Sequence, residues 1–187
     1  QIEDVIAGFT PKEGVHYTAL ALNAKGAERR AAFSPPLTLP LDFGRTSVHL
    51  CDVFVKRNTN KSKADEIAMW PAQIEGAVKR GVTDAWVVIN AAWGSNWLGE
   101  FGEDERLELI GQQMDAWRAA GINPTKVWIG DPMSWNTPRA VESTLLRIQE
   151  LWPQVKDFHL HLHNGRGMAP ISAYMALRAL KPEHTLM

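Results

Sequence analysis

The stretch AWVVINAAWGSNWLGEFGEDERLELIGQQMDAWRAAGINPTKVWIGD, residues 85–131, combines two periodic patterns. Residues 85–91 and 126–130 are short apolar runs rich in β-branched side chains, which is typical of buried strands. Between these runs, four apolar residues spaced three, four and three positions apart predict one helical face: Leu107, Ile110, Met114 and Trp117. Gly121 follows as a C-cap. The segment therefore predicts a strand–helix–strand unit with parallel strands.

The same alternation runs along the rest of the chain and predicts about five such units. Further strands are predicted over Val15–Leu22, Thr46–Val53 and Phe158–His163. Three helix starts have recognisable signals: Ser62 with Asp65 three residues later, the pair Thr137-Pro138, and a helix from about Met168 to Leu180. Either an open doubly wound sheet or part of a (β/α)8 barrel fits this order. A complete barrel needs about 250 residues, more than the 187 present.

Composition narrows the classes of partner. The chain has 20 Lys+Arg against 21 Asp+Glu, a formal net charge of −1, which argues against nucleic acid as a partner. No apolar run reaches the 18 or so residues of a membrane helix, so no membrane partner is expected. The single cysteine, Cys51, excludes an intrachain disulfide and fits a reducing, cytoplasmic location.

The segment FHLHLHNGRG, residues 158–167, carries the clearest chemical signal. His159, His161 and His163 alternate along a predicted strand, so their side chains share one face. His161 and His163 lie at its C-terminal end, where parallel α/β proteins build active sites, and two such imidazoles can converge on one divalent cation. The alternative is a set of hydrogen-bonded core histidines, and spacing alone does not decide between the two. Three buried imidazoles without partners would be costly, which favours the metal.

These residues also resemble a known family. The segment 161–168, HLHNGRGM, is similar to the metal-binding strand of the 3-hydroxy-3-methylglutaryl-CoA (HMG-CoA) lyase-like family of DRE-type TIM-barrel metallolyases, which share a pyruvate carboxyltransferase-like domain. Three other segments resemble motifs of that family, in the same order: LALNAKG at 20–26, CDVFVKRNTNKS at 51–62 and GDPMSWNTP at 130–138. Four ordered motifs are far more specific than any one of them.

The resemblance implies an α/β fold of the TIM-barrel type, with residues 1–187 forming one domain that covers roughly strands three to seven and is incomplete at both ends. It implies that His161 and His163 hold a divalent metal, Mg²⁺ or Mn²⁺, with Zn²⁺ or Co²⁺ as alternatives. Asp131 would be catalytic. Four residues would bind substrate. Asn58 and Asn60 lie in a polar loop after the fourth strand, and the other two are Asn23 and Arg166.

The implied activity is a metal-dependent carbon–carbon lyase that cleaves a 3-hydroxyacyl-CoA or hydroxy acid, in a homodimer or larger assembly. Two other functions stay open: a synthase that condenses an acyl-CoA with a 2-oxo acid, and a non-catalytic, barrel-derived binding protein. An open α/β metal-binding domain outside the family is a weaker alternative. The family's first-strand Asp-Arg-Glu motif and its cysteine loop have no counterpart here. Trp135 stands where the family usually has a small residue.

Residue by residue, simpler roles compete with the functional ones. Asp131 ends a predicted strand just before a proline and could serve as a turn residue. Asn23 could cap the turn that follows its strand, and Arg166 could form a surface salt bridge. The resemblance is what favours catalysis and substrate binding at these positions.

Overall fold

The computed structural model describes residues 2–21, 24–38 and 43–187, and the chain divides into two compact units, Gln1–Asp42 and Phe43–Met187. The first unit contains helices α1 (Ile2–Ala7) and α2 (Ala24–Ala31). Arg29 pairs with Glu3 there, and this hydrogen bond lowers the pKa of the Glu3 carboxyl to about 2. That the whole chain forms one domain stays a prediction.

The strand predicted over Val15–Leu22 is wrong for the residues that are described in that range. Only Tyr17 forms a β-bridge, to Leu37 in the same unit. A strand needs a continuous ladder of backbone partners, and a single bridge does not provide one. Asn23, predicted to bind substrate, lies outside the described residues.

The second unit alternates strands and helices. Its elements in chain order are β1 (Gly44–His49), α3 (Asp52–Thr59), α4 (Lys63–Ala68), α5 (Trp70–Lys79), β2 (Ala85–Asn90), β3 (Gly94–Ser95), β4 (Gly99–Glu100), α6 (Glu103–Ala119), β5 (Lys126–Asp131), α7 (Pro138–Leu151), β6 (Asp157–Leu162), α8 (Ala169–Ala179) and β7 (Thr185–Leu186). Among the described residues no helix is both long and apolar enough to cross a membrane.

Five of the strands form one parallel sheet in the order β1-β2-β5-β6-β7. The predicted α/β architecture with a parallel sheet is therefore confirmed. β3 and β4 form a separate antiparallel hairpin in the loop after β2. Every long connection in the sheet carries a helix, as parallel pairing requires.

The helix-facing side of the sheet forms the core. Its side chains are fully buried, among them Val48, Val87, Ile89, Val127, Ile129 and Phe158. Trp117 of α6 packs so closely under Gly44 that a Cβ there would lie 2.5 Å from Cη2 of the indole. The same indole donates from Nε1 to Thr46 Oγ1 at 3.0 Å, so its one polar atom is satisfied in the core.

The strand predicted over Thr46–Val53 is too long at its C-terminal end. β1 ends at His49 and α3 begins at Asp52, because the Cys51 thiol accepts a hydrogen bond from Phe54 N at 3.4 Å and caps the helix. Asn58 is therefore on a helix rather than in a loop. Asn60 ends that helix in the left-handed region, at φ 58°.

A cluster of charged side chains connects neighbouring strands at the N-terminal edge of the sheet. Lys126 Nζ lies 2.6 Å from Asp157 Oδ2 and 3.1 Å from Asp84 Oδ2. Asp84 also accepts from the backbone of Ala85 and from both N and Oγ1 of Thr125, at 2.7–3.0 Å. Partial burial opposes ionisation of Asp84, but the hydrogen bonds from Thr125 and Lys126 outweigh it and lower the pKa of Asp84.

We expect Asp84→Asn to lower the free energy of unfolding by about 1–3 kcal/mol at pH 7, because the hydrogen bonds to a charged acceptor are weakened. The pKa of Asp84 is lower in the folded state, so this contribution is complete above the unfolded value near 4 and disappears as the pH falls below it. Urea unfolding at a series of pH values measures the difference.

Asp115→Asn is the matched control, because the Asp115 side chain is 78 % exposed and lies 3.6 Å from Arg118 in an ordinary surface pair. A deficit for Asp84→Asn that stays the same from pH 7 to pH 3 would show that the charge of Asp84 does not stabilise the fold.

Candidate functional site

A row of residues marks the C-terminal edge of the sheet. Strand register pairs His49 of β1 with Asn90 of β2, and Gly130 of β5 with His161 of β6. The Asn90 side chain connects β2 to β5, because a Cβ built on Gly130 of β5 would lie 2.2 Å from Asn90 Oδ1. Residues paired in this way project to the same face of a parallel sheet. We call these four residues the C-terminal row: His49, Asn90, Gly130 and His161. The row lies on the face of the sheet opposite the helix-packed core.

His161 and His163 converge as their spacing predicts. Their Nε2 atoms are 3.1 Å apart, their ring centroids are 5.1 Å apart, and both side chains are exposed. Two nitrogens that bind one ion at about 2.1 Å, at right angles, are about 3 Å apart. The pair therefore fits as two adjacent ligands of a divalent metal. Among the described residues no cluster of three His, Cys, Asp or Glu side chains is arranged to hold an ion.

Asn90 is the nearest source of a further neutral oxygen in this row. Its amide occupies the space over Gly130 that a side chain would otherwise fill. Glycine is therefore required at position 130, and it lets the Asn90 amide lie beside the strand that carries His161. Amide oxygens are ligands that hard divalent cations accept.

His49 is oriented by a carboxylate. Its Nδ1 lies 2.8 Å from Glu66 Oε1, and its backbone N–H donates to Glu66 Oε2 at 2.8 Å. Both side chains are nearly buried, at 12 % and 11 % exposure. A carboxylate that accepts from Nδ1 fixes the tautomer in which Nε2 is free to accept a proton.

His159 lies deeper on the same strand face and stacks on Trp128, with centroids 4.1 Å apart. Arg45 also contacts Trp128, since its guanidinium carbon lies 4.9 Å from the centroid of that ring. Burial lowers the pKa of His159, and the neighbouring His161 and Arg45 lower it further. These contacts give His159 a packing role beneath the His161–His163 pair.

Asp131 is fully buried and closes the loop after β5. Its Oδ1 accepts from Trp135 N at 2.9 Å, and its Oδ2 accepts from Asn136 N at 2.8 Å and from Asn136 Nδ2 at 2.5 Å. Because it follows Gly130 on the strand, it projects away from the C-terminal row. Its catalytic role stays a prediction, and the contacts favour the alternative, a turn residue.

The same loop holds the end of β6 in place. Ser134 Oγ accepts from Gly165 N at 2.7 Å, and Asn136 Nδ2 donates to the carbonyl of His163 at 3.2 Å. The backbone N–H of His163 donates to the carbonyl of Asp131 at 3.3 Å. The position of the His161–His163 pair therefore depends on the loop that Asp131 closes.

Arg166 lies just after this strand and stacks on Trp135, its guanidinium carbon 3.9 Å from the ring centroid. Arg166 and Asn58 are both exposed, and no described residue forms a hydrogen bond with the Asn58 side chain. Asn60 has a local reason for its identity, since asparagine tolerates the left-handed backbone better than most residues. Substrate binding by these three residues stays a prediction.

Sequence reasoning missed His49, Glu66 and Asn90. His49 and Glu66 are 17 residues apart and meet only because α4 packs on β1. A histidine within the strand predicted over Thr46–Val53, with an acid in the helix predicted to start at Ser62, was the available signal. Asn90 follows an uninterrupted apolar strand, and a polar residue at that position marks the C-terminal edge of a parallel sheet.

The solved structures similar to this chain include HMG-CoA lyases. The enzyme from Acinetobacter baumannii, in complex with coenzyme A and 3-methylmalate, matches 95 % of this chain at a TM-score of 0.63 and 20 % identity. The enzyme from Pseudomonas aeruginosa matches 93 % at 0.61 and 22 % identity, and that from Brucella melitensis 95 % at 0.64 and 21 % identity. No family model and no curated protein sequence matches the chain.

The chain covers 53 %, 53 % and 58 % of these three structures, so it spans about half of their length. The fold is thus the HMG-CoA lyase-like fold, an α/β arrangement whose parallel sheet corresponds to part of a TIM barrel. The resemblance inferred from four motifs is confirmed for the fold.

We expect Asp131→Asn to lower the free energy of unfolding by about 1–3 kcal/mol, because an NH₂ group would replace an acceptor that faces N–H donors. Urea unfolding measures this loss. Asp104→Asn, at an exposed position in the first turn of α6, is the control and should change stability by less than about 1 kcal/mol. Equal stability of the Asp131 variant and the wild type would contradict its assignment as the residue that closes the loop.

Proposed function

We propose that this chain forms the metal-binding part of a carbon–carbon lyase of the HMG-CoA lyase type. The observation that carries the proposal is the convergence of His161 and His163 at the C-terminal end of β6, in a fold shared with HMG-CoA lyases. Active sites of TIM barrels are built at this end of the strands. The fold supports the class of enzyme, and the paired imidazoles support the dependence on metal.

His161 and His163 would hold the divalent cation, Mg²⁺ or Mn²⁺ from the resemblance, with Zn²⁺ or Co²⁺ as alternatives that imidazole ligands also suit. When bound, such an ion supplies positive charge that lowers the pKa of a coordinated hydroxyl and stabilises negative charge on a neighbouring carbonyl oxygen. Asn90 would add a neutral amide to the same row. Tight placement of these groups depends on Gly130.

His49 would accept the proton of the substrate hydroxyl. Glu66 holds Nδ1, so the proton would go to Nε2. The hydroxyl oxygen then forms the new carbonyl, the carbon–carbon bond breaks, and its electron pair passes to the enolate of the thioester. Return of a proton to the enolate carbon completes the cleavage. The substrate class is a 3-hydroxyacyl-CoA or related hydroxy acid; a homodimer or larger assembly and a cytoplasmic location stay predictions.

The metal assignment predicts about one divalent ion bound per chain. After treatment with a chelator, the full chain is titrated with Mn²⁺ and the free ion is followed by electron paramagnetic resonance. We expect His161→Asn and His163→Asn each to weaken binding by about tenfold or more, and the double variant to abolish it. His16→Asn is the control, an exposed histidine in the first unit. Wild-type affinity in the double variant would refute the site.

The lyase assignment predicts that HMG-CoA is cleaved to a shorter acyl-CoA in the presence of Mn²⁺, which mass spectrometry of the products detects. We expect His49→Asn to lower kcat by about 10²-fold or more with little change in KM, because proton transfer is lost while substrate binding remains. Metal binding without any cleavage of acyl-CoA or hydroxy-acid substrates would favour a non-catalytic binding protein instead.

A further inference from the structure

A cavity of about 600 Å³ lies between the first turns of α6 and α7. Its volume is within the range of about 300–1,000 Å³ that is typical of small-molecule sites. None of its lining residues belongs to β6 or to the C-terminal row, so the cavity is separate from the candidate metal site. Its charged lining consists of two glutamates and two arginines: Glu100, Glu103, Arg106 and Arg139.

Arg106 brings a buried positive charge to this cavity. Its side chain is only 4 % exposed, and Nη1 donates to the carbonyls of Ala92 at 3.2 Å and Phe101 at 2.8 Å. Among the described residues nothing accepts from its Nε or Nη2, and no carboxylate lies close enough to form an ion pair with it. A buried charge without a partner is costly, so an acceptor from outside the chain would stabilise this guanidinium.

The first turn of α6 adds backbone donors to the same cavity. The N-cap of this 17-residue helix is Gly102, and no side chain caps the first N–H groups. Both Gly102 and Glu103 line the cavity. Uncapped N–H groups and the positive end of the helix dipole attract a carboxylate. The cavity therefore combines two independent sources of positive potential, the helix end and the Arg106 side chain.

Two glutamates supply the opposite charge. Ser143 Oγ of α7 donates to Glu103 Oε1 at 2.6 Å, which holds this carboxylate against α7, and Glu100 is exposed. Burial lowers the pKa of Arg106, and the charges of Glu103 and Glu100 only partly oppose this effect. An anion would be repelled by the glutamates, and a cation would be repelled by the arginines.

We propose that this cavity binds a free α-amino acid, with the carboxylate on Arg106 and the first N–H groups of α6, and the ammonium group on Glu103 and Glu100. A zwitterion without net charge matches a lining that has two charges of each sign. Residues three apart on a helix have Cβ atoms about 5–6 Å apart, as Glu103 and Arg106 do by position. This short separation suits two charges on one carbon better than charges at the ends of a long chain.

An aliphatic side chain suits the rest of the cavity, because Phe101 and Ala140 add apolar surface to its lining. The site uses neither the histidine pair nor an acyl substrate. The inference therefore stands or fails independently of the proposed function.

The test is calorimetric titration of the full chain with L-norvaline and with its two halves: pentanoate, which lacks the amine, and butylamine, which lacks the carboxylate. EDTA is present throughout, so that no ligand binds through a metal at the histidine pair. We expect norvaline to bind and each half to bind at least about tenfold more weakly, because each half leaves charged groups of the cavity unpaired.

Arg106→Met should weaken norvaline binding about tenfold or more, and Arg106→Lys should recover only part of the affinity, because an ammonium group lacks the planar set of donors. Arg106 also holds the carbonyls of Ala92 and Phe101, so circular dichroism must confirm that its variants are folded. Glu100→Gln, at an exposed position, is the second variant and should weaken binding about threefold. Glu108→Gln is its matched control, an exposed glutamate of α6 outside the cavity lining.

The proposal is overturned if the wild type does not bind norvaline, or if a folded Arg106→Met variant or Glu100→Gln binds it with wild-type affinity. Pentanoate that binds as tightly as norvaline would indicate a simple anion site instead. Tighter binding of 5-aminopentanoate, whose charges lie at opposite ends of the chain, would contradict the assignment to an α-amino acid.

Discussion

The parallel pairing of β5 with β6 is the constraint on which the site depends. Its register sets Gly130 against His161, and the absence of a side chain on Gly130 leaves room for the Asn90 amide. A slip of one residue would turn His161 towards the helices and bring a buried apolar residue to the exposed face. Because Val127, Ile129 and Phe158 all need burial, the hydrophobic core itself prevents this slip. The site is thus positioned by the same alternation that builds the core.

The loop after β5 also positions the site, beyond the ends of the strands. The buried carboxylate of Asp131 gathers the N–H groups of the next turn, and that turn holds the backbone of His163 and Gly165. The residue most readily taken for an acid catalyst therefore acts first on geometry. A buried carboxylate that accepts several hydrogen bonds within one loop is a rigid support, and its low exposure limits its contact with any substrate.

Local signals in the sequence predicted the regular elements well. Ser62 and Asp65 form the capping box, Thr137 caps α7, and Gly121 follows α6 with φ at 82°. These features depend on neighbours within a few residues, which is why pattern reasoning finds them. The predicted end of β1 was wrong because a cysteine caps α3, a role for which serine or threonine is the usual choice.

The candidate site was predicted only where it lies on one strand. The spacing of His161 and His163 defines their shared face, so their convergence followed from the sequence alone. The His49–Glu66 pair and the contact of Asn96 with Trp135 join residues 17 and 39 positions apart. Such contacts depend on how helices and loops pack on the sheet, and no local period encodes them.

The two edges of the sheet differ in how their charged groups are paired. At the N-terminal edge, Lys126 is neutralised by Asp84 and Asp157, and hydrogen bonding to Asp157 raises the pKa of Lys126. Arg45 lies in the same strand register as Lys126, its guanidinium reaches the Trp128 ring, and burial lowers its pKa. The C-terminal edge holds imidazoles, the Asn90 amide and two carboxylates, Glu66 and Asp131, with the exposed Arg166 after β6. Under the proposed function, a divalent ion at the histidine pair would add positive charge to this edge, which would help to attract a negatively charged substrate and leave its orientation to the contacts around it.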